Sequence, residues 1–108
     1  MSFRIEWTPS ALQSLLDVYE YTCEEFGENQ MKKLRRKIDA AIRLIATYPQ
    51  IGSVESYSEK VGIEIRGLVV ISQIIIIYSV MPDFVQIEYI KNSRLDDETM
   101  LWNMGIHI

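Results

Sequence analysis

Apolar and polar residues alternate at the start of the chain. Phe3, Ile5 and Trp7 fall on one side of an extended segment. The residues between them, Arg4 and Glu6, are charged. Successive side chains of a strand point to opposite faces, so this pattern predicts a short strand with one buried face.

A long amphipathic helix is predicted to follow this strand. Thr8 and Pro9 favour a helix start, because a threonine hydroxyl caps free N–H groups and proline fits the first helical position. Gly27 is typical of the residue that ends a helix. The apolar residues between these signals recur at helical spacing and predict one buried stripe, which consists of Leu12, Leu15, Leu16, Tyr19, Cys23 and Phe26.

A second helix is predicted after a short break at residues 27–29, and Pro49 ends it. Its apolar positions advance by three or four residues and are Met31, Leu34, Ile38, Ala41, Ile45 and Tyr48. Two helices joined by so short a connection form an antiparallel hairpin. Each stripe is too broad for the other helix to cover, so we expect both helices to pack on a sheet.

The second half of the chain has the pattern of a sheet. Residues 49–62 are mostly polar and predict a loop. Ile63 and Ile65 alternate with charged residues, Gly67 interrupts the pattern, and residues 68–80 predict one long strand. Residues 74–77 are all isoleucine. This run has no polar face, which places its strand at the centre of the sheet with both faces covered.

A hairpin and a short helix complete the predicted fold. Residues 81–84 favour a turn, and Val85, Ile87 and Tyr89 then alternate with polar residues in a returning strand. The acidic segment that begins at Asp96 favours the start of a short C-terminal helix. The order β-α-α-β-β-β plus this helix predicts an α+β fold, in which a two-helix hairpin packs on a mainly antiparallel sheet.

The composition limits the classes of protein and of site. The chain has 108 residues, of which 48% are hydrophobic and 24% charged, as expected for a single globular domain over residues 1–108. The lone cysteine, Cys23, and the lone histidine, His107, exclude an internal disulfide framework and a Cys- or His-based metal centre. The glycine motifs that bind nucleotides do not occur in the sequence, so we expect neither a cofactor nor a metal.

Net charge and hydropathy bear on location and partners. The chain carries 11 basic and 15 acidic residues, for a net charge of -4. This balance argues against a protein whose whole surface binds nucleic acid, though not against a local basic patch. We expect no direct sequence-specific binding of nucleic acid. The N-terminus does not resemble a signal peptide, and the longest apolar run falls far short of the ~20 residues of a membrane helix. We therefore expect a cytoplasmic protein with no membrane partner.

A run of basic residues marks the second predicted helix. Lys32, Lys33, Arg35, Arg36 and Lys37 occupy five of six consecutive positions. They indicate either a patch for phosphates or an acidic partner, or a solvated helix face that is partly neutralised by nearby acids.

Three further cations stand at predicted strand ends. Arg66 precedes Gly67, and Lys91 and Arg94 follow the last strand. If these ends converge, the three side chains form a cationic corner suited to a phosphate or a carboxylate. In the alternative, they lie along the sheet rim and pair with acids such as Asp96 or Asp97.

The order and spacing of these segments resemble the RelE/ParE family, the toxins of bacterial type II toxin–antitoxin pairs. The resemblance covers residues 3–97. It rests on WTPSALQSLLDVYEYTCEEFG at the first helix, KIDAAIRLIATYPQIG at the second, IRGLVVISQIIIIYSV in the sheet and VQIEYIKNSRLDDE at the last strand. It implies the fold predicted above and a cognate antitoxin protein as partner.

The family has two branches with different activities. RelE-like toxins are ribosome-dependent mRNA endoribonucleases, whereas ParE-like toxins bind DNA gyrase and are not nucleases. The resemblance places Arg66 at a strand arginine shared by much of the family, Tyr78 at the tyrosine that ends the long strand, and Arg94 at the arginine after the last strand. In a nuclease, Arg66, Lys91 and Arg94 would bind phosphate, and Tyr89 would be the candidate acid or base.

Two departures from the nuclease pattern favour the ParE-like branch. Residues 73–75 read Gln-Ile-Ile where the nucleases usually have a second arginine, and Asn92 stands near the position of their histidine or tyrosine. We therefore expect a toxin that inhibits growth by binding gyrase and is neutralised by its antitoxin. A RelE-like ribonuclease acting on the ribosome, and an inactive relative that retains antitoxin binding, are the alternatives.

Overall fold

A computed structural model of the chain describes residues 2–107. The helices and strands in this part of the chain are β1 (Arg4–Trp7), α1 (Pro9–Phe26), α2 (Glu28–Thr47), β2 (Ser53–Val54), α3 (Ser58–Val61), β3 (Ile65–Ile71), β4 (Ile74–Val80), β5 (Phe84–Asn92) and α4 (Asp97–Asn103). The five strands form one sheet in the order β1-β5-β4-β3-β2. Only the β1–β5 pair is parallel in this sheet. The predicted α+β fold, a helical hairpin on a mainly antiparallel sheet, is confirmed.

The ends of α1 follow the predicted signals. The Thr8 side chain accepts a hydrogen bond from the backbone N–H of Ala11 at 3.0 Å, which satisfies a donor that the helix leaves free. At the other end, Gly27 has a φ of 92°, a conformation that favours glycine. Its N–H donates to the Cys23 carbonyl at 2.9 Å, and α2 begins at the next residue. This single residue creates the tight connection of the hairpin.

The buried face of α1 differs from the predicted stripe. Leu12, Leu16 and Phe26 are 48%, 60% and 64% exposed, and Cys23 is exposed as well. The fully buried positions are the small residues Ala11 and Ser14. Small side chains bring α1 close to β5, where the Ser14 hydroxyl accepts a hydrogen bond from the Ile90 N–H at 2.8 Å and donates to the Ala11 carbonyl. The predicted stripe is confirmed at Leu15 and Tyr19, which pack against the main core. It was wrong at the four exposed positions, because a hydrogen-bonded serine rather than a leucine lies at the centre of the interface with β5.

The predicted seam of α2 is confirmed over most of its length. Leu34, Ile38 and Ile45 are buried and belong to the main hydrophobic core between the hairpin and the sheet. Tyr48 is 61% exposed, because the helix ends at Thr47 and Tyr48 turns away as its C-cap.

Two boundaries in the second half of the chain were predicted wrongly. Residues 68–80 are not one strand, because Ser72 and Gln73 form a turn between β3 and β4, and Gly67 lies inside β3. Residues 49–62 are not a loop throughout, since they contain β2 and α3 and bury Tyr57. The flanking isoleucines hide the turn at residues 72–73 from any periodicity argument.

A second hydrophobic core covers the opposite face of the sheet. It consists of Tyr57, Ile65, Ile77, Met100 and Leu101, with α4 laid over it. Because β4 is the middle strand and has a core on each face, its isoleucine run needs no polar side, as predicted. The predicted C-terminal helix is confirmed as α4, which begins after Asp96.

The two tryptophan side chains differ in their burial. Trp7 of β1 packs against the main core. Trp102 is 63% exposed, because α4 is short and buries mainly Met100 and Leu101.

Candidate functional site

An apolar groove with a volume of about 430 Å³ opens between the helical hairpin and one end of the sheet. That end is formed by the β3–β4 turn and by the last residues of β5. The groove is lined by apolar and aromatic residues, which are Val18, Tyr21, Phe26, Leu34, Ile71, Ile74, Tyr89, Ile90 and Leu95. Tyr21 and Phe26 are more than half exposed and pack edge to face, with ring centroids 6.3 Å apart. Exposed aromatic groups around a concave surface are typical of a protein-binding site.

The rim of this groove is polar and carries charges of both signs. Asp17 of α1 lies on it, and Lys33 and Lys37 of α2 lie on it as well. These two lysines come from the predicted basic run. Lys32, by contrast, forms a surface ion pair with Glu28 at 3.3 Å, as expected for a solvated helix face. The solvated-face interpretation therefore describes Lys32, whereas a patch for phosphates or an acidic partner stays a prediction.

Arg66 holds the chain that leaves α2. Its guanidinium donates to the carbonyls of Gln50 and Gly52 at 3.2 and 2.7 Å, and its other terminal nitrogen lies 2.6 Å from a Glu64 carboxylate oxygen. The side chain is only 17% exposed. Its hydrogen-bonding groups are thus largely used inside the molecule.

Tyr78 holds the same segment from the neighbouring strand. It lies opposite Arg66 in the β3–β4 register and is fully buried. Its hydroxyl donates to the Pro49 carbonyl at 2.7 Å and accepts from the Gly52 N–H at 2.8 Å. Burial raises the pKa of this phenol, against smaller opposing effects from the Gly52 hydrogen bond and the Arg66 charge. Tyr78 therefore has the surroundings of a structural anchor.

Lys91 lies on the other face of the sheet. Its amine is 2.7 Å from an Asp97 carboxylate oxygen at the start of α4, and its side chain is 14% exposed. The pKa of the nearby Glu55 carboxyl is raised, mainly by burial and also by the Asp97 charge, while Lys91 opposes the shift. The alternative in which these cations pair with acids such as Asp97 therefore describes Lys91, whose ion pair links β5 to α4.

Tyr89 and Arg94 complete the set of predicted site residues. The Tyr89 hydroxyl accepts a hydrogen bond of 3.2 Å from the Asn103 amide. Arg94 is exposed in the turn after β5 and has no ion-pair partner among residues 2–107.

The structure does not bring the predicted site residues into one cluster. Arg66 and Tyr78 lie together on the hairpin face of the sheet, whereas Lys91 and Tyr89 face α4. β4 separates the strands of Arg66 and Lys91. Among the described residues there is also no group of three or more His, Cys, Asp or Glu side chains that could hold a metal ion.

Sequence reasoning missed the groove and the residues around Glu55. Tyr21 was a signal for the groove, since it is a large aromatic residue off the predicted stripe of α1. No sequence signal marked Tyr57, whose hydroxyl is buried without a hydrogen-bond partner among the described residues. The pKa of that phenol is raised by burial and by the charges of Glu55 and Asp97.

None of the helices within residues 2–107 combines the length and the apolar character needed to cross a membrane.

Comparison with known proteins identifies the relatives of the chain. A family model described as the ParE toxin of the type II toxin–antitoxin system, parDE, matches residues 5–94. A sequence search of curated proteins gives no match.

The fold is similar to that of several solved structures. The chromosomal ParDE toxin–antitoxin system from P. aeruginosa contains a chain with a TM-score of 0.68 and 20% identity, covering 84% of this chain and 96% of that one. The YoeB dimer from Staphylococcus aureus gives a TM-score of 0.54 at 20% identity, with 84% and 97% coverage. The YoeB–YefM complex from the same organism gives 0.50 at 18% identity, again with 84% and 97% coverage. At these identities the likeness extends to the fold.

Proposed function

The chain belongs to the ParE toxin family of type II toxin–antitoxin systems, and we propose that it inhibits growth in the cytoplasm by binding DNA gyrase. The main support for this proposal is that most of the candidate catalytic side chains are already bound to other groups of the protein. Arg66 and Tyr78 hold the segment around Gly52, and Lys91 pairs with Asp97. A toxin that acts by occupying a large target needs no set of reactive groups of its own.

The ribonuclease alternative requires groups that converge on one phosphate. A general base or acid contributes about 10²- to 10⁴-fold in rate, and a charge-stabilising donor contributes about 10²- to 10³-fold. Arg66 and Lys91 lie on opposite faces of the sheet, and of the three cations only Arg94 is exposed. This distribution supports binding rather than phosphoryl transfer.

We further propose that the apolar groove receives a segment of the cognate antitoxin. An amphipathic helix presents apolar residues three and four positions apart, and such a row matches a groove lined by Tyr21, Phe26 and Leu34. Lys33 and Lys37 on the rim favour a segment with acidic residues beside its apolar row. Solved structures of similar fold include a ParDE system and a YoeB–YefM complex, and both support an antitoxin partner.

Expression in bacteria without the antitoxin tests the proposed activity. We expect growth to slow, while primer extension on translated mRNA finds no new cleavage sites. Arg94→Ala is the matched variant: cleavage in the parent chain that disappears in Arg94→Ala would favour the ribonuclease. Normal growth at confirmed high protein levels would contradict both activities and select the inactive relative.

The groove is tested with the antitoxin encoded next to the toxin. Phe26→Glu places a negative charge in the apolar lining, against a segment proposed to be acidic, and we expect it to weaken antitoxin binding in titration calorimetry by at least about a hundredfold, since a buried unpaired charge is costly. Val69→Glu, on an exposed position of β3 outside the groove lining, is the matched control. Equal affinities of the two variants would contradict the proposed docking site.

A further inference from the structure

Glu55 lies on the face of the sheet that α4 covers, in a space that Gly67 leaves open. Glu55 follows β2, and its N–H donates to the Ile65 carbonyl at 2.7 Å. A Cβ atom placed on Gly67 would overlap the Glu55 carboxylate and lie 3.2 Å from a methyl group of Ile75. Because Ile75 packs against the second core, the carboxylate fills the place of the missing side chain on the same face as that core.

One amine and two carboxylates share this face. Lys91 of β5 lies opposite Ile75 in the β4–β5 register, so Lys91 and the Glu55 carboxylate stand on either side of Ile75. The Lys91 amine is 2.7 Å from an Asp97 carboxylate oxygen of α4, and its side chain is 14% exposed. Among residues 2–107, no ion pair includes Glu55. The amine is therefore bound to Asp97, and Glu55 lies beside it without a counter-ion.

Further titratable groups border this cluster. The Tyr57 hydroxyl, at the start of α3, is buried without a hydrogen-bond partner among the described residues. Tyr89 and Glu88 of β5 are hydrogen-bonded to side-chain amides, and Arg66 of β3 lies on the opposite face of the sheet. The remaining charged residues of the adjoining segments are exposed and are Glu59, Lys60, Glu64, Arg94, Asp96 and Glu98. Lys91 is therefore the cation available to both carboxylates.

We propose that Glu55, Lys91 and Asp97 form a pH-sensitive latch, in which Lys91 pairs with Asp97 while α4 lies on the sheet and with Glu55 when α4 moves off it. In the closed state the Glu55 carboxyl is removed from water and competes with Asp97 for one amine, so its neutral form is favoured. In the open state it gains both water and the amine, so its charged form is favoured. Closure therefore takes up a proton, and a rise in pH opens α4.

The surroundings of Glu55 agree with this direction. The pKa of its carboxyl is raised, mainly by burial and then by the Asp97 charge, while Lys91 opposes the shift. The stability that protonated Glu55 contributes to the closed state is thus fully present below the ordinary pKa of 4.5. It is lost as pH rises through the raised pKa of the closed state.

α4 is suited to such a two-state element. It has 7 residues and buries Met100 and Leu101, so few contacts hold it on the sheet. The Tyr57 hydroxyl would gain water as a hydrogen-bond partner on opening, which lowers the cost of the open state. Opening also exposes the second core, so the protein presents different surfaces at low and at high pH. The latch does not depend on the proposed gyrase target.

Amide hydrogen exchange in the full-length protein tests the pH dependence. The N–H groups of Met104 and Ile106 donate to carbonyls of α4 and report its opening. After correction for the intrinsic effect of pH on exchange, their protection should fall at least about fivefold between about pH 4.5 and about pH 8. Glu55→Gln, a neutral isostere, should stay protected throughout this range, whereas Glu59→Gln, at an exposed position of α3, should follow the parent.

NMR titration of the Glu55 carboxyl tests the exchange of partners. In the parent it should titrate above its ordinary pKa of 4.5. Asp97→Asn frees Lys91 to pair with Glu55 and should lower the midpoint, the additional change Lys91→Gln should raise it again, and Glu98→Gln should leave it unchanged. A midpoint at or below the ordinary value in the parent, no change in Asp97→Asn, or an equal loss of protection in Glu55→Gln would each overturn the latch.

Discussion

Replacing Tyr78 by phenylalanine removes one hydroxyl and two hydrogen bonds, one buried and one part-buried. In the folded chain that hydroxyl donates to the Pro49 carbonyl at 2.7 Å and accepts from the Gly52 N–H at 2.8 Å. The hydrogen bond from Gly52 is buried and the one to Pro49 is part-buried, so in the variant the Gly52 N–H has no ready access to water and the Pro49 carbonyl has limited access. A buried group left without its partner costs about 1–3 kcal/mol. For two such groups, with some relaxation of the segment around Gly52, we expect Tyr78→Phe to lower the free energy of unfolding by about 2–4 kcal/mol.

Thermal and urea unfolding followed by circular dichroism measure this loss. In a domain of this size it corresponds to a fall of about 10 °C or more in the midpoint temperature. Tyr89→Phe is the control, because the Tyr89 hydroxyl accepts a single 3.2 Å hydrogen bond from an exposed amide, and its loss costs about 1 kcal/mol or less. The reasoning fails if the two variants are equally stable, or if Tyr78→Phe stays within about 0.5 kcal/mol of the parent.

Three further predictions concern other parts of the fold. Thr8→Ala removes the side-chain cap that accepts from the Ala11 N–H at 3.0 Å, and should destabilise the chain by about 1 kcal/mol in urea unfolding, whereas an unchanged stability would refute the cap. Gly52→Ala would place a Cβ atom 2.7 Å from the Tyr78 hydroxyl and 2.9 Å from the Gly67 carbonyl oxygen. It should destabilise by about 1–3 kcal/mol, and a variant as stable as Ser53→Ala would contradict this close approach. Glu88 is buried, and burial raises the pKa of its carboxyl against an opposing hydrogen bond from Gln86, so the stability it contributes is present below the unfolded pKa near 4.3 and is lost as pH rises through the folded pKa. Glu88→Gln should therefore gain more in midpoint temperature over the parent at pH 7 than at pH 4, and an equal gain at both pH values would contradict the shift.

Local signals in the sequence were enough to predict the elements whose stability is mainly local or strongly periodic. Thr8, Pro9 and Gly27 mark the two ends of α1 correctly, because helix capping depends on backbone groups within one turn. The buried positions of α2 could be predicted because one face of this helix packs on the sheet along most of its length. The isoleucine run predicted β4 as the central strand because a strand with no polar side must be covered twice.

The predictions were wrong where tertiary packing determines which residues are buried and where a strand ends. A periodicity argument ranks Leu12 and Leu16 above Ala11 and Ser14 as buried residues, but the close approach of α1 to β5 requires small side chains and a hydroxyl that can satisfy the Ile90 N–H. The turn at Ser72 and Gln73 is hidden because its polar residues lie between two long apolar segments.

Even less of the candidate site could be predicted from the sequence. Strand ends were expected to bring Arg66 and Lys91 together, but β4 lies between their strands and the two side chains face opposite cores. The carbonyl groups that hold Arg66 carry no sequence signature, because every residue has one. The groove is formed by the tip of the hairpin and the end of the sheet, segments that are distant in the chain, and its shape exists only in the folded protein.

Supercoiling of relaxed plasmid DNA by purified gyrase tests the central proposal most directly. The folded toxin, added alone, should inhibit gyrase in proportion to its concentration, and pre-incubation with its antitoxin should abolish the effect. Arg94→Ala should keep its fold. Comparing its inhibition of gyrase with that of the parent chain shows whether the exposed Arg94 side chain acts on gyrase or only on the ribosome. Undiminished supercoiling at saturating toxin, together with mRNA cleavage by the same preparation in a translation reaction, would contradict the assignment and favour the ribonuclease.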